Sequence, residues 1–196
     1  KDLSSISEQA EPFALIVNDD PMQLMVLTQI FSTNKFQVAQ AINGLEAFKA
    51  VYGSLDENAR KFDLVIMDLN MPIMNGYDAA TKIKALFSDL PVANQLVKCK
   101  GSQHNDQFEI LLKHTLPVMV AVSASEASEE LMESLQRCGF DEYIQAPLKV
   151  TDIHKYILPL LHKRQDLLQS KNIMSVFNES KDNIGYRVSE HESFYF

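Results

Sequence analysis

No stretch of the chain approaches the roughly 18 consecutive apolar residues of a membrane-spanning helix. The polar opening KDLSSISEQAE is no signal peptide either. Cysteine is scarce: Cys99 and Cys138 sit among otherwise cytosolic features and read as reduced, structural thiols. Basic residues are in the minority, 18 Lys and Arg against 26 Asp and Glu, for a net charge of -8. That balance argues against a nucleic-acid surface, which needs clustered cations. The five histidines show no metal-ligand spacing, and no internal repeat or low-complexity block appears. Asn178-Glu179-Ser180 is a sequon only by chance, since nothing else suggests secretion. These absences lead to the expectation of a cytoplasmic protein with neither membrane nor nucleic-acid partners. The chain opens at Lys1 rather than Met, as a piece of something longer would.

What is present is a sizeable hydrophobic fraction, 46% of 196 residues, enough for one domain with a real core. Short β-branched apolar runs recur, each followed by a segment of helical period. The expected strands are Phe13 to Val17, Phe36 to Ala41, Leu64 to Met67, Val118 to Val122 and Tyr143 to Gln145. The expected helices carry Met22 to Phe31, Leu45 to Val51, Tyr77 to Phe87 and Ser125 to Cys138, the last closed by Gly139. A final helix is expected to be capped by Thr151 and to run through His162. Five strand–helix alternations with continuously apolar strands imply a parallel sheet covered on both faces, an α/β doubly wound fold. Residues 1–12 read as an N-terminal tail, 13–163 as the domain and 164–196 as a C-terminal tail. An insertion at 88–116 exceeds the usual loop of about 4–6 residues, and Phe108, Leu111 and Leu112 suggest a short docked helix within it.

In such a sheet, ligands gather outside the C-terminal strand ends, where neighbouring first and third strands bring their following loops together. Asn18, Asp19 and Asp20 follow the first strand, and Asp68 ends the third. Clustered carboxylate and carbonyl oxygens suit Mg²⁺. A carboxylate beside that ion can attack a phosphoryl group, because the metal neutralises charge on the transferred oxygens. The breaks at Met71-Pro72 and Asn75-Gly76 keep the backbone after Asp68 irregular, so that a carbonyl such as that of Asn70 can face the metal.

These segments resemble the receiver domain of two-component response regulators. VIMDLNMPIMNGYDAA is similar to that family's phosphoacceptor segment and IVNDDPMQLMVL to its acidic opening loop. VAVSAS resembles the fourth-strand switch segment, and GFDEYIQAPLK the fifth-strand signature. The resemblance covers about residues 12–163 apart from the insertion, and implies a flavodoxin-like (βα)5 fold with strand order 2-1-3-4-5. It implies Asp68 as phosphoacceptor, Ser123 as the switch hydroxyl and Tyr143 as the switch aromatic. It further implies Mg²⁺ held by Asp19, Asp68 and the carbonyl of Asn70, with Asn18 reaching the ion through water. The expected partners are a histidine kinase or histidine phosphotransfer protein as donor, and a downstream protein on the face of the fourth helix, fifth strand and fifth helix.

Two departures from the family pattern stand out. Asn18 replaces one acid of the usual pair, removing a negative charge. Ala146, before Pro147, replaces the lysine that pairs with phosphoryl oxygens; Lys149 is expected to face solvent rather than substitute for it. These departures motivate a second reading, a degenerate receiver that binds partners without phosphorylation. A phosphatase of the haloacid dehalogenase type would need a general acid two residues after its nucleophile, where Asn70 stands and cannot donate a proton. A calcium loop at DLNMPIMNG fails because Ile73 occupies the position that demands glycine. The chain is expected to be no enzyme in itself, but a single-domain regulator or the receiver end of a hybrid kinase.

Overall fold

A computed structural model describes residues 11–56, 58–88 and 116–169. The helix expected near Phe108, Cys99 and the tail beyond residue 169 lie outside the described residues. Five strands, β1 (Phe13–Val17), β2 (Gln37–Ala41), β3 (Leu64–Asp68), β4 (Val118–Ser123) and β5 (Glu142–Gln145), form one sheet of order β2-β1-β3-β4-β5. Every pairing is parallel. The expected doubly wound order is therefore the observed one.

Alternation along each strand builds two cores. Leu15, Val17, Val65, Met67, Met119 and Ala121 face one layer, with α2 (Gly44–Gly53), α3 (Gly76–Ser88) and α4 (Glu129–Cys138) contributing Ala47, Ile83 and Leu135. Ala14, Ile16, Leu64, Ile66 and Val120 face the other. There α1 (Pro21–Thr33) supplies Leu24, Leu27 and Phe31. A period of two residues with both faces apolar is what covers a parallel sheet on both sides. Among the described residues no helix is long and apolar enough to cross a membrane.

Several helix limits differ from expectation. α4 starts at Glu129 rather than Ser125, because the Ser128 side chain caps it by accepting from the Leu131 N–H at 3.1 Å. Gly139 closes it in the left-handed region, φ 104°, as expected. The last helix, α5, begins over Val150–Asp152, widens into a π turn over Ile153–Ile157 and continues over Leu158–Gln169. Lys149, not Thr151, is its first capping position, with the Asp152 carboxylate accepting from the Lys149 N–H at 2.8 Å. The helix runs past His162 to Gln169. Its π turn lies just before Pro159, which has no N–H to give and crowds the preceding turn; there the Leu158 N–H bonds to the Ile153 carbonyl instead.

Candidate functional site

The register places the site. Val17 pairs with Met67 and Asp68 with Val122, so the loop after β1, the end of β3 and Ser123 at the end of β4 share one edge of the molecule. Three consecutive polar residues leave β1, and each has a different surrounding. Asn18 is buried, 3% exposed. Its Oδ1 accepts from the Asp20 N–H at 2.8 Å, and its Nδ2 donates to Asp68 Oδ2 at 3.3 Å. Asp19 is exposed, and its charge acts on Asp68. Asp20 caps α1 through the N–H groups of Met22 and Gln23, at 2.8 and 3.2 Å. The bonds from Gln23 and Met22 hold its carboxyl below the ordinary range. Asp20 is thus committed to the helix end.

Asp68 is half-buried at the last position of β3. Its Oδ1 accepts from the Asn70 N–H at 3.1 Å. Burial raises its pKa, the Asn70 and Leu69 N–H groups oppose that, and the nearby charge of Asp19 adds to it; the net direction is upward. A negative charge that is partly desolvated and set against a second one is a place where a cation would bind favourably.

The loop after Asp68 is strapped down at several points. Leu69 and Met71 are buried, Gly76 N–H donates to the Leu69 carbonyl at 3.0 Å, and Gly44 N–H donates to the Met74 carbonyl at 2.9 Å. A Cβ on residue 76 would lie 2.3 Å from the Asp68 carbonyl oxygen, so the close approach of α3 to the end of β3 requires glycine. Ile73 has φ 69° and is 79% exposed. A β-branched residue in that conformation costs about 1–3 kcal/mol and persists because the loop around it is fixed.

Ser123 is buried, and its Oγ lies 3.4 Å from both the backbone N and the Oγ of Ser125. The Tyr143 ring is buried in the first core. Its hydroxyl donates toward the carbonyls of Ser123, at 3.1 Å, and Ser125. Ala146 N–H donates to the same Ser123 carbonyl at 2.8 Å, while its methyl packs against the second core. Lys149 is exposed at the start of α5. The structure therefore gathers Asn18, Asp19 and Asp68, with Asn70 beside them. It ties Ser123 to Tyr143 through the backbone, and leaves the fifth loop without a cation at position 146.

The oxygen donors fit a hard divalent ion. Asp19, Asp68 and the Asn70 carbonyl are the groups that would hold Mg²⁺, which prefers one or two carboxylates with waters completing its shell. Among the described residues no group of three or more His, Cys, Asp and Glu could hold a metal. Two features escaped sequence reasoning. The Asn18 nitrogen, rather than its oxygen, is the atom turned to Asp68, and Ser125 is the partner of both Ser123 and Tyr143. For the second, the only signal was the serine two residues on in VSAS.

The sequence model of the response regulator receiver domain matches residues 14–95. Histidine kinase 5 of Arabidopsis thaliana is 25% identical over 164 residues, 81% of this chain but 17% of the kinase. Hybrid signal transduction histidine kinase B of Dictyostelium discoideum is 26% identical over 147 residues, 75% of this chain and 6% of its own length. The chain thus spans less than a fifth of these relatives. Among solved structures, the receiver domain of sensor histidine kinase PA1611 from Pseudomonas aeruginosa PAO1, with a magnesium ion coordinated in its active-site cleft, superposes with a TM-score of 0.53. It is 18% identical, covering 78% of this chain and 99% of that one. The Saccharomyces cerevisiae complex of the phosphotransfer protein Ypd1 with the receiver domain of Ssk1 gives 0.55 at 22% identity, covering 76% and 87%. In sheet order and strand-end aspartates the chain is thus similar to the response regulator receiver domain of two-component signalling, whose sequence model it matches over residues 14–95.

Proposed function

We propose that this domain accepts a phosphoryl group on Asp68 from a phosphohistidine donor, with Mg²⁺ held by Asp19, Asp68 and the Asn70 carbonyl, and passes the change to a protein partner. The observation that carries the reading is the convergence of Asn18, Asp19 and Asp68 at neighbouring strand ends, with Asp68 held by donors at both oxygens. When bound, the ion supplies neutralisation of charge on the transferred oxygens. The protein's own part is to aim Asp68, to keep the loop after it rigid through Gly76 and Met71, and to present the Asn70 carbonyl.

The donor is a histidine kinase or a histidine phosphotransfer protein. The similarity to receiver domains of histidine kinases and to a receiver solved with a phosphotransfer protein supports this. So does the surface: Met22, Ile42 and Ile73, all just beyond C-terminal strand ends, are more than half exposed, an apolar rim suited to a protein donor rather than a small molecule. The output would use α4, β5 and α5; a cleft of about 430 Å³ lies between β5 and the start of α5, lined by Tyr143, Ala146, Lys149 and Tyr156 among others. Phosphorylation would draw Ser123 toward the phosphoryl group and alter its backbone tie to Tyr143. Placement in the cytoplasm, and within a regulator or a hybrid kinase, belongs to the same proposal.

Incubation of the chain with acetyl phosphate and Mg²⁺, followed by intact mass measurement, is expected to show one added phosphoryl group, absent in Asp68→Asn. Failure to label under conditions that modify another receiver overturns the reading. The Ala146 methyl among apolar neighbours favours one alternative, a binding module that no longer switches. That alternative expects Asp68→Asn to bind the partner as the wild type does.

A further inference from the structure

The two polar atoms of the buried Asn18 side chain have separate tasks. Its oxygen is committed to the Asp20 N–H at 2.8 Å, where the chain turns from β1 into α1. That fixes the amide nitrogen on the other side, 3.3 Å from Asp68 Oδ2. The second Asp68 oxygen is held by the Asn70 N–H at 3.1 Å. The carboxylate is therefore gripped at both oxygens by uncharged donors. An aspartate at position 18 could keep the bond to Asp20, because a carboxylate oxygen accepts as an amide oxygen does. It could not keep the bond to Asp68, having no hydrogen to give, and would add a third negative charge beside Asp19 and Asp68.

We propose that Asn18 is a positioning residue: its amide orients Asp68 before any cation is bound, and remains as a side-chain donor to that carboxylate during phosphoryl transfer, in a site where position 146 offers only a methyl group. The proposal rests on the phosphoacceptor reading above. In transfer from acetyl phosphate, an Asp68 oxygen forms the new O–P bond, the P–O bond of the donor breaks and acetate leaves with the electron pair. Asn18 neither gains nor loses a proton. Alignment is thus separated from charge neutralisation. A pair of acids at positions 18 and 19 would need the ion for both, whereas here the ion is needed for the second alone.

The experiment compares wild type with Asn18→Asp in the full chain, because aspartate keeps the turn and removes only the donor. Amide resonances of Leu69 and Asn70 are followed by NMR without metal and through a Mg²⁺ titration, and acetyl phosphate labelling is measured at low and saturating Mg²⁺. Asn18→Asp is expected to shift both resonances in the metal-free state, to respond to Mg²⁺ more strongly than wild type, and to bind it about tenfold more tightly. Its labelling is expected to fall away at low Mg²⁺ more steeply than that of wild type. Metal-free resonances, Mg²⁺ affinity and labelling all equal to wild type would overturn the proposal and leave Asn18 as a turn residue only. If the wild type is not labelled at all, the phosphoacceptor reading fails, while the metal-free spectra still decide whether Asn18 aligns Asp68.

Discussion

Aspartates stand at both ends of this sheet, in different company. At the N-terminal ends, Asp63 precedes β3 and accepts from the Phe13 N–H at 2.8 Å, and Asp141 precedes β5 and accepts from the Met119 N–H at 2.9 Å. Their own N–H groups return bonds to the carbonyls of the same two residues, each at 2.8 Å. Both carboxylates also act on Arg164 of α5, opposing the lowering of its pKa by burial. Those carboxylates are stitched between strands and share one nearby cation. At the C-terminal end, Asp68 is held by one backbone N–H and one amide, with Asp19 as its charged neighbour, and its pKa moves up. The same functional group serves as a fastener between strands at the base and, in the function proposed above, as the phosphoacceptor at the apex, where its neighbour is a second carboxylate.

The comparison breaks most visibly at the base. Asp141→Ala is expected to lower unfolding free energy by about 2–3 kcal/mol, since it strands the Met119 N–H and removes a charge facing Arg164. Urea denaturation measures this, and acetyl phosphate labelling of the folded variant should match wild type. At the apex the missing cation can be restored. Ala146→Lys is expected to bind beryllofluoride with Mg²⁺ several-fold more tightly, up to about tenfold, through a charge-assisted bond to the phosphoryl analogue. Fluorine NMR titration reads it.

The smallest effect sharpens the contrast most. Folding raises the Asp68 pKa, so the folded protein holds that proton to higher pH than the unfolded chain does. Stability from this group is therefore present at low pH and lost as pH rises through the folded pKa. Asp68→Asn removes the loss. It is expected to melt higher than wild type at neutral pH by roughly 1–2 °C after solvent screening, with the gap closing below the ordinary carboxylate pKa of about 4. Thermal melts of both proteins across that range test the sign.

The strands were legible from the chain because burial on both faces leaves unbroken apolar runs, and β1, β3 and β4 differ from expectation by no more than one residue. The α1 cap was equally local, since Asp20 bonds to residues two and three positions on. What could not be read depends on partners far along the chain. The loop from Ser125 to Ser128 stays out of α4 partly because the Tyr143 hydroxyl, 18 residues away, takes the Ser125 carbonyl. The direction of the Asn18 amide likewise follows from Asp68, 50 residues on. The expected strand order predicted that the loops carrying Asn18 and Asp68 would converge; their direct contact, and which atom of the amide faces the carboxylate, needed the fold.

Gly76 carries a final consequence. The hydrogen it has in place of a side chain is the clearance that lets the end of β3 rest against the next helix. Drift can exchange an acid for an amide or drop a lysine and still leave a domain whose geometry is intact. Adding one carbon at residue 76 would instead press on the Asp68 carbonyl and shift that strand end bodily. A descendant that abandoned the chemistry but kept the scaffold would still be barred from that substitution, so glycine there testifies to shape rather than to signalling.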